Sequence, residues 1–82
     1  MRRVVVLDAG PLGRLANPLA SPENQDCNQW LSDLLASGAL VVIPEIADYE
    51  VRRELLRANM MVSIAQLDAL EQVLFYTRSP RR

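Results

Sequence analysis

The stretch RVVVLDAGPLG, residues 3–13, decides the fold of this chain. Apolar residues at positions 4–7 run directly into one acid, Asp8, and a Gly-Pro pair follows at positions 10 and 11. A short run of β-branched residues closed by turn residues predicts a strand buried on both faces of a parallel sheet. Because α/β proteins bind ligands at the carboxyl ends of parallel strands, Asp8 is the first candidate functional residue.

A second apolar run at residues 39–43 predicts a second buried strand. Helices are predicted both before and after it. Before it, Ser21 and Pro22 predict the start of a helix with an apolar stripe, and Gly38 is expected to end that helix in a left-handed conformation. Residues 11–16 are predicted to form a shorter helix. Because a helical connection joins the two strands, we expect them to be parallel.

After Pro44 the pattern predicts a helix over residues 45–59. A last helix is predicted to start at Ser63, where Gln66 three residues later completes a capping box. The sequence therefore predicts a single α/β domain over residues 1–82, with a parallel sheet flanked by helices in the order β-α-α-β-α-α. Residues 77–82 are expected to form a disordered tail, because they are polar and rich in Arg.

Composition excludes several classes of function. The chain has 82 residues, a net charge of −1, no His, and Arg as its only cation, with nine copies. Without His there is no imidazole base, Ser/His triad or His metal ligand. The single Cys27 fits a reducing cytosol, so we expect a cytoplasmic protein, and no apolar run approaches the roughly 20 residues of a membrane span.

One aromatic and one sulfur-containing side chain on the second helix are predicted to be structural. Trp30 and Cys27 share the apolar stripe of that helix, so both are expected in the core. The spacing of Gly10 and Gly13 does not match a dinucleotide-binding fingerprint, which argues against an organic cofactor.

The helix after Pro44 carries the most unusual surface. When it is wound at 100° per residue, a charged stripe that begins at Glu50 lies between two apolar shoulders. One shoulder comprises Ala47, Val51, Leu55 and Ala58, and the other comprises Tyr49, Leu56 and Met60; the stripe itself comprises Glu50, Arg53, Glu54 and Arg57. Because this helix starts at the same sheet edge as Asp8, Glu50 is the candidate partner of Asp8.

Two carboxylates about 4 Å apart repel each other by about 4 kcal/mol at an effective dielectric constant of about 20. Three arrangements would relieve that repulsion. One acid stays protonated, a divalent cation bridges the two acids, or Arg53 or Arg57 pairs with Glu50 or Glu54 on the same helix. An all-oxygen site without His or Cys would select Mg²⁺ or Mn²⁺.

At this point the sequence resembles the PIN-domain family of metal-dependent nucleases, which includes many toxin–antitoxin ribonuclease toxins. The first motif, VVVLDAGPL at residues 4–12, looks like the family's first strand and first catalytic Asp. The second, VIPEIADYEVRREL at residues 42–55, looks like the strand and helix that carry its catalytic Glu. The segment SIAQLDAL at residues 63–70 also matches a subgroup of the family.

The resemblance implies that Asp8 and Glu50 are catalytic and hold Mg²⁺ or Mn²⁺. It further implies single-stranded RNA as the substrate and an antitoxin-like protein as a partner. From its place on the charged stripe, Glu54 is a further candidate, as an alternative ligand or as a group beside the ligands.

The resemblance covers residues 3–76, which correspond to the first half of the family's domain. The family's later strands and acids have no counterpart, and Asp68 and Glu71 lie where the family does not bind metal. We therefore expect a truncated PIN-like domain with a two-stranded sheet and uncovered faces, weakly active or inactive alone. The alternative is a non-enzymatic interaction fragment that binds an antitoxin-like partner or forms a homo-oligomer.

Overall fold

The computed structural model describes residues 3–77. Within them the chain forms β1 (Val4–Val6), α1 (Ala9–Ala16), α2 (Pro22–Ala36), β2 (Leu40–Pro44), α3 (Glu45–Arg57), α4 (Met61–Val73) and β3 (Phe75–Thr77). The strand order is β1-β2-β3, and both pairings are parallel. The predicted α/β class, a parallel sheet flanked by helices, is confirmed.

The prediction of only two strands was wrong. Phe75 aligns with Val42 and Thr77 aligns with Pro44, so β3 adds a third parallel strand next to β2. Phe, Tyr and Thr all favour strands, but a run of three residues is too short to show alternation. Thr77, predicted to begin a disordered tail, ends β3, and the rest of that predicted tail lies outside the described residues.

The two faces of the sheet differ in burial. Val41 and Ile43 are buried in the main core together with residues of all four helices. On the opposite face Val4, Val6 and Phe75 are 57, 56 and 55% exposed, so the prediction that β1 is buried on both faces was wrong. Because aligned residues of parallel strands point to the same side, this open sheet face comprises Val4, Val6, Leu40, Val42 and Phe75.

The predicted ends of α2 are confirmed. The Ser21 hydroxyl accepts a hydrogen bond from the backbone N–H of Asn24 at 3.2 Å, which satisfies one of the free donors at the helix start. At the other end Gly38 has φ of +84°. The N–H groups of Gly38 and Ala39 donate to the carbonyls of Leu35 and Leu34, both at 3.1 Å. This Schellman arrangement turns the chain directly into β2.

The start of α4 differs from the prediction. Asn59 adopts a left-handed φ of 58°, which reverses the chain at once and lets α4 begin at Met61 rather than Ser63. Ser63 is buried within the first turn and does not cap the helix. The Gln66 side chain instead donates to the carbonyl of Leu15 at 3.0 Å, which ties α4 to the end of α1. The predicted capping box was therefore wrong.

The core is centred on four leucines from α1, α4 and the loop after β1. Leu7, Leu12, Leu15 and Leu67 are each at most 1% exposed. Trp30, predicted to be in the core, is 40% exposed, so that prediction was wrong. The apolar stripe of α2 is wider than the part of the core on which α2 packs. Leu31 and Leu34 make the buried contact, and Trp30 lies outside it. Cys27 is partly buried and packs against the core.

Gly38→Ala tests the left-handed turn between α2 and β2. Nothing lies within 4 Å of a Cβ at this position, so the penalty comes from the backbone conformation. We expect urea unfolding to show a loss of about 1–2 kcal/mol. Gly13→Ala is the matched control, because that position is equally open but helical, and it should be neutral or stabilising by up to about 1 kcal/mol. Equal losses at both positions would contradict this interpretation.

Candidate functional site

Asp8 lies at the carboxyl edge of the sheet, as predicted. Leu7 is buried, and its N–H donates to the carbonyl of Val42 at 2.9 Å, so the sheet fixes the backbone up to the residue before Asp8. Asp8 is the N-cap of α1 with an extended backbone, but its side chain accepts no capping hydrogen bond. The exposed carboxylate forms no ion pair within residues 3–77 and is available to a ligand.

Glu50 is positioned by the packing of α3. This helix starts directly after β2, with Pro44 as its N-cap, and Ala47 and Val51 anchor it in the core. Glu50 is exposed and lines a groove of about 410 Å³ between α1 and α3. The groove is lined by Ala9, Gly10 and Gly13 from α1 and by Glu50, Val51, Arg53, Glu54 and Leu55 from α3.

The groove brings Glu50 and Glu54 beside the first turn of α1. Its wall begins at Ala9, the residue after Asp8, while Asp8 itself is outside the lining. Gly10 and Gly13 have no side chains, so the α1 wall is low and the groove stays open to solvent from that side. The structure therefore places two predicted site residues in one groove and the third at its border.

The pairing of the charged stripe on α3 decides which acid is free. Arg57 forms an ion pair with Glu54, and that hydrogen-bonded guanidinium lowers the pKa of the Glu54 carboxyl. The guanidinium of Arg53 lies 5.7 Å from the centre of the Tyr49 ring, a cation–π distance. Glu50 has no ion pair within residues 3–77, so of the two acids considered for pairing with Arg only Glu54 is paired.

One of the two predicted apolar shoulders does not form a wall. Ala47 and Val51 pack in the core as predicted, with Leu55 partly buried beside them. On the other shoulder Tyr49 and Leu56 are 58 and 57% exposed. Glu50 is therefore flanked by protein on the α1 side and by solvent on the other.

The donor set matches a hard divalent cation in kind but is small. Carboxylate oxygens are the ligands that Mg²⁺ and Mn²⁺ prefer. Within residues 3–77 no group of three or more Asp, Glu, His or Cys side chains is arranged to hold a metal ion. Among residues 3–77, Asp8 and Glu50 form no ion pair, and Glu54 would have to leave Arg57 to join them.

A second charged cluster, which the sequence did not predict, lies between α3 and α4. Arg52 contacts Asp48 on its own helix and both Asp68 and Glu71 on α4. The Asp48–Arg52 spacing indicates a pair within α3, but the two acids of α4 join it only through helix packing. Asp68 and Glu71 are three residues apart on one helical face, which was the available signal.

Comparisons with protein-family models, curated proteins and solved structures found no match for this chain. In the described part of the chain, the helices are too short or too polar to cross a membrane. The PIN resemblance therefore rests on the sequence motifs alone, whereas the α/β fold is shown by the structure.

Arg57→Gln tests whether Arg57 neutralises Glu54 at the groove. Removing the guanidinium should raise the pKa of Glu54 toward its ordinary value, since hydrogen bonding by Arg57 is the main cause of the lowering. Carboxyl ¹³C NMR titration measures this directly. Arg53→Gln is the control and should raise the pKa less, because Arg53 is the smallest contributor. A larger effect of Arg53→Gln would show that the pairing is wrong.

Proposed function

We propose that this chain is a PIN-type endoribonuclease domain in which Asp8 and Glu50 hold Mg²⁺ or Mn²⁺. The observation that carries the proposal is the groove between α1 and α3. It contains Glu50 without an ion pair in the described residues, and its opposite wall begins one residue after Asp8. The two motifs of the PIN resemblance meet at this groove, although they lie about forty positions apart in the sequence.

The proposed roles follow from the charges. Asp8 is held by the end of β1 and Glu50 by the buried face of α3, so both carboxylates start from rigid elements. Bound there, a divalent ion would supply a water of lowered pKa and neutralise charge on the scissile phosphate. Glu54 is tied to Arg57 by an ion pair, so it would act beside the ion rather than as a direct ligand.

The same donor set predicts weak binding. Mg²⁺ gives up its waters reluctantly and needs several well-placed charges, whereas only Asp8 and Glu50 are unpaired at this edge in the described residues. We therefore propose single-stranded RNA as the substrate class, from the PIN resemblance, with low activity of the isolated chain. A cytoplasmic location accords with the single thiol, Cys27, in the sequence.

Thermal unfolding with Mn²⁺ tests the metal site. With a Kd of about 1 mM, 10 mM Mn²⁺ should stabilise the fold by about 1.4 kcal/mol, which raises Tm by several degrees. Asp8→Asn and Glu50→Gln should each abolish the shift. Glu23→Gln, an exposed acid in the first turn of α2, is the control and should leave the shift unchanged.

The same variants test catalysis. Wild-type protein and Glu23→Gln should cleave single-stranded RNA slowly with Mn²⁺ and not with EDTA, while Asp8→Asn should be inactive. Cleavage that survives in both Asp8→Asn and Glu50→Gln would overturn the proposed function, as would a Tm shift of equal size in all variants.

As a second candidate function, we propose self-association through the open sheet face. Val4, Val6 and Phe75 are each more than half exposed on this face, and none of its residues is charged. Parallel sheets are normally covered on both sides, and a contiguous apolar patch marks an interaction surface. A second copy is the occupant that the chemistry favours, because two such faces meet without burying an unpaired charge.

Val6→Glu tests this second candidate. Wild-type protein should sediment as a dimer at about 100 µM, and a charge on the open sheet face should make it monomeric. Val62→Glu is the control, because Val62 is 68% exposed on α4 and outside that face. A monomeric wild type, or a dimer that both variants disrupt equally, would exclude self-association through this face. The face would then be open to a different partner, such as an antitoxin-like protein.

A further inference from the structure

One guanidinium nitrogen holds α3 and α4 together. Nη2 of Arg52 lies 2.8 Å from Oδ1 of Asp68, 3.0 Å from Oδ1 of Asp48 and 3.3 Å from Oε1 of Glu71. Nε of Arg52 adds a long contact of 3.4 Å to Oδ2 of Asp48. These side chains, Asp48, Arg52, Asp68 and Glu71, are called the Arg52 cluster below.

A single guanidinium, that of Arg52, faces three carboxylates in the Arg52 cluster, so its one positive charge cannot balance three negative ones. Nη2 of a guanidinium carries two hydrogens, and the contacts to Asp68 and Asp48 are the shortest ones. Glu71 has the longest of the three contacts with Nη2, through Oε1 at 3.3 Å. Its other oxygen, Oε2, is buried without a hydrogen-bond partner in the described part of the chain.

A buried charge that lacks donors is costly, whereas a neutral acid at the same place is not. With all three acids ionised, the Arg52 cluster would carry a net charge of −2, and the side chains of Asp48 and Glu71 are only 12 and 16% exposed. With Glu71 neutral it carries −1, and the buried Oε2 that lacks a partner in the described residues then belongs to an uncharged group. The geometry thus favours a proton on Glu71.

We propose that Glu71 is a neutral carboxylic acid at neutral pH and that the Arg52 cluster is a proton-dependent clamp holding α4 against α3. The clamp is separate from the proposed metal groove, because it lies on the side of α3 that faces α4 rather than α1. Since α4 leads directly into β3, the state of the clamp also affects how firmly the third strand is held.

The electrostatic surroundings of Glu71 agree with this geometry. Burial, and then interaction with Asp48, raise the pKa of Glu71 to about 8, against the opposing effect of Arg52. For Asp48, burial disfavours ionisation, but interactions with Glu71 and Arg52 outweigh it and lower the pKa of that carboxyl. The pKa values of these two carboxyls therefore differ widely, so that Glu71 keeps its proton while Asp48 loses its own.

The charged and titratable groups near Glu71 come from the elements packed on α4. Arg52 and Asp48 face it from α3, and Asp68 lies one turn away on α4 itself. Beside Asp48, a groove is lined by Glu45 and Tyr49 of α3 and by Tyr76 of β3. On the α1 side, α4 is held by the neutral contact from Gln66 to the Leu15 carbonyl.

The direction of the pH effect follows from proton counting. In the unfolded chain Glu71 titrates near its usual 4.5, and in the folded chain near 8. Between these values the folded state binds more protons, so stability is highest at the acid end and falls as pH rises toward 8. The unfolding equilibrium constant should rise by up to about tenfold per pH unit, and no His titrates in this window because the chain has none.

Urea unfolding between pH 5.5 and 8.5 tests the clamp in the full chain. Glu71→Gln keeps the shape and stays neutral, so its stability should be nearly independent of pH and exceed that of wild type at pH 8.5. Asp68→Asn is the matched control: it removes an acid bound to the same nitrogen, but the Asp68 side chain is 59% exposed. In this variant the free energy of unfolding should fall with pH nearly as steeply as in wild type.

Carboxyl ¹³C NMR of the wild-type protein measures the proton itself and does not depend on any variant folding. The Glu71 resonance should titrate with a midpoint near 8. A midpoint near 4.5, or a Glu71→Gln protein whose stability declines with pH as steeply as wild type, would overturn the clamp.

Discussion

The structure depends on the two-sided pairing of β2. With β1 on one side and β3 on the other, both parallel, β2 fixes the direction of every element that follows a strand. Because β1 and β2 run the same way, α1 and α3 both start at one edge of the sheet. That edge brings Asp8 near the helix that carries Glu50, although the two acids come from distant parts of the sequence.

The helix after β2 then separates two electrostatic environments. Toward α1 it presents Glu50 at an open groove, unpaired within residues 3–77, where water can solvate the charge. Toward α4 it presents Asp48 and Arg52, which are tied to two acids of that helix. The exposed acid is suited to hold a ligand, whereas the cluster facing α4 is suited to hold the fold together, because its acids already share the guanidinium of Arg52.

Local signals in the sequence were enough for much of the fold. The Ser21 cap, the left-handed Gly38 and the parallel pairing of β1 with β2 depend on neighbouring residues or on connection rules, and the structure has all three. The sequence placed Asp8 and Glu50 at one sheet edge for the same reason, since strand ends and helix starts are local features.

What the sequence did not predict depends on tertiary packing. The start of α4 is set by the left-handed Asn59 and by the contact of Gln66 with α1, neither of which a capping motif reports. The exposure of Trp30 depends on how much of α2 the core covers, and the Arg52 cluster exists only because α3 and α4 pack side by side. β3 was too short to recognise without its partner β2.

The most direct measurement is paramagnetic broadening of backbone amide NMR signals by substoichiometric Mn²⁺. If Asp8 and Glu50 hold the ion, broadening should centre on the amides of Ala9, Gly10 and Glu50 and disappear in Asp8→Asn. Broadening centred on Asp68 and Glu71, or absent at millimolar Mn²⁺, would contradict the proposed site.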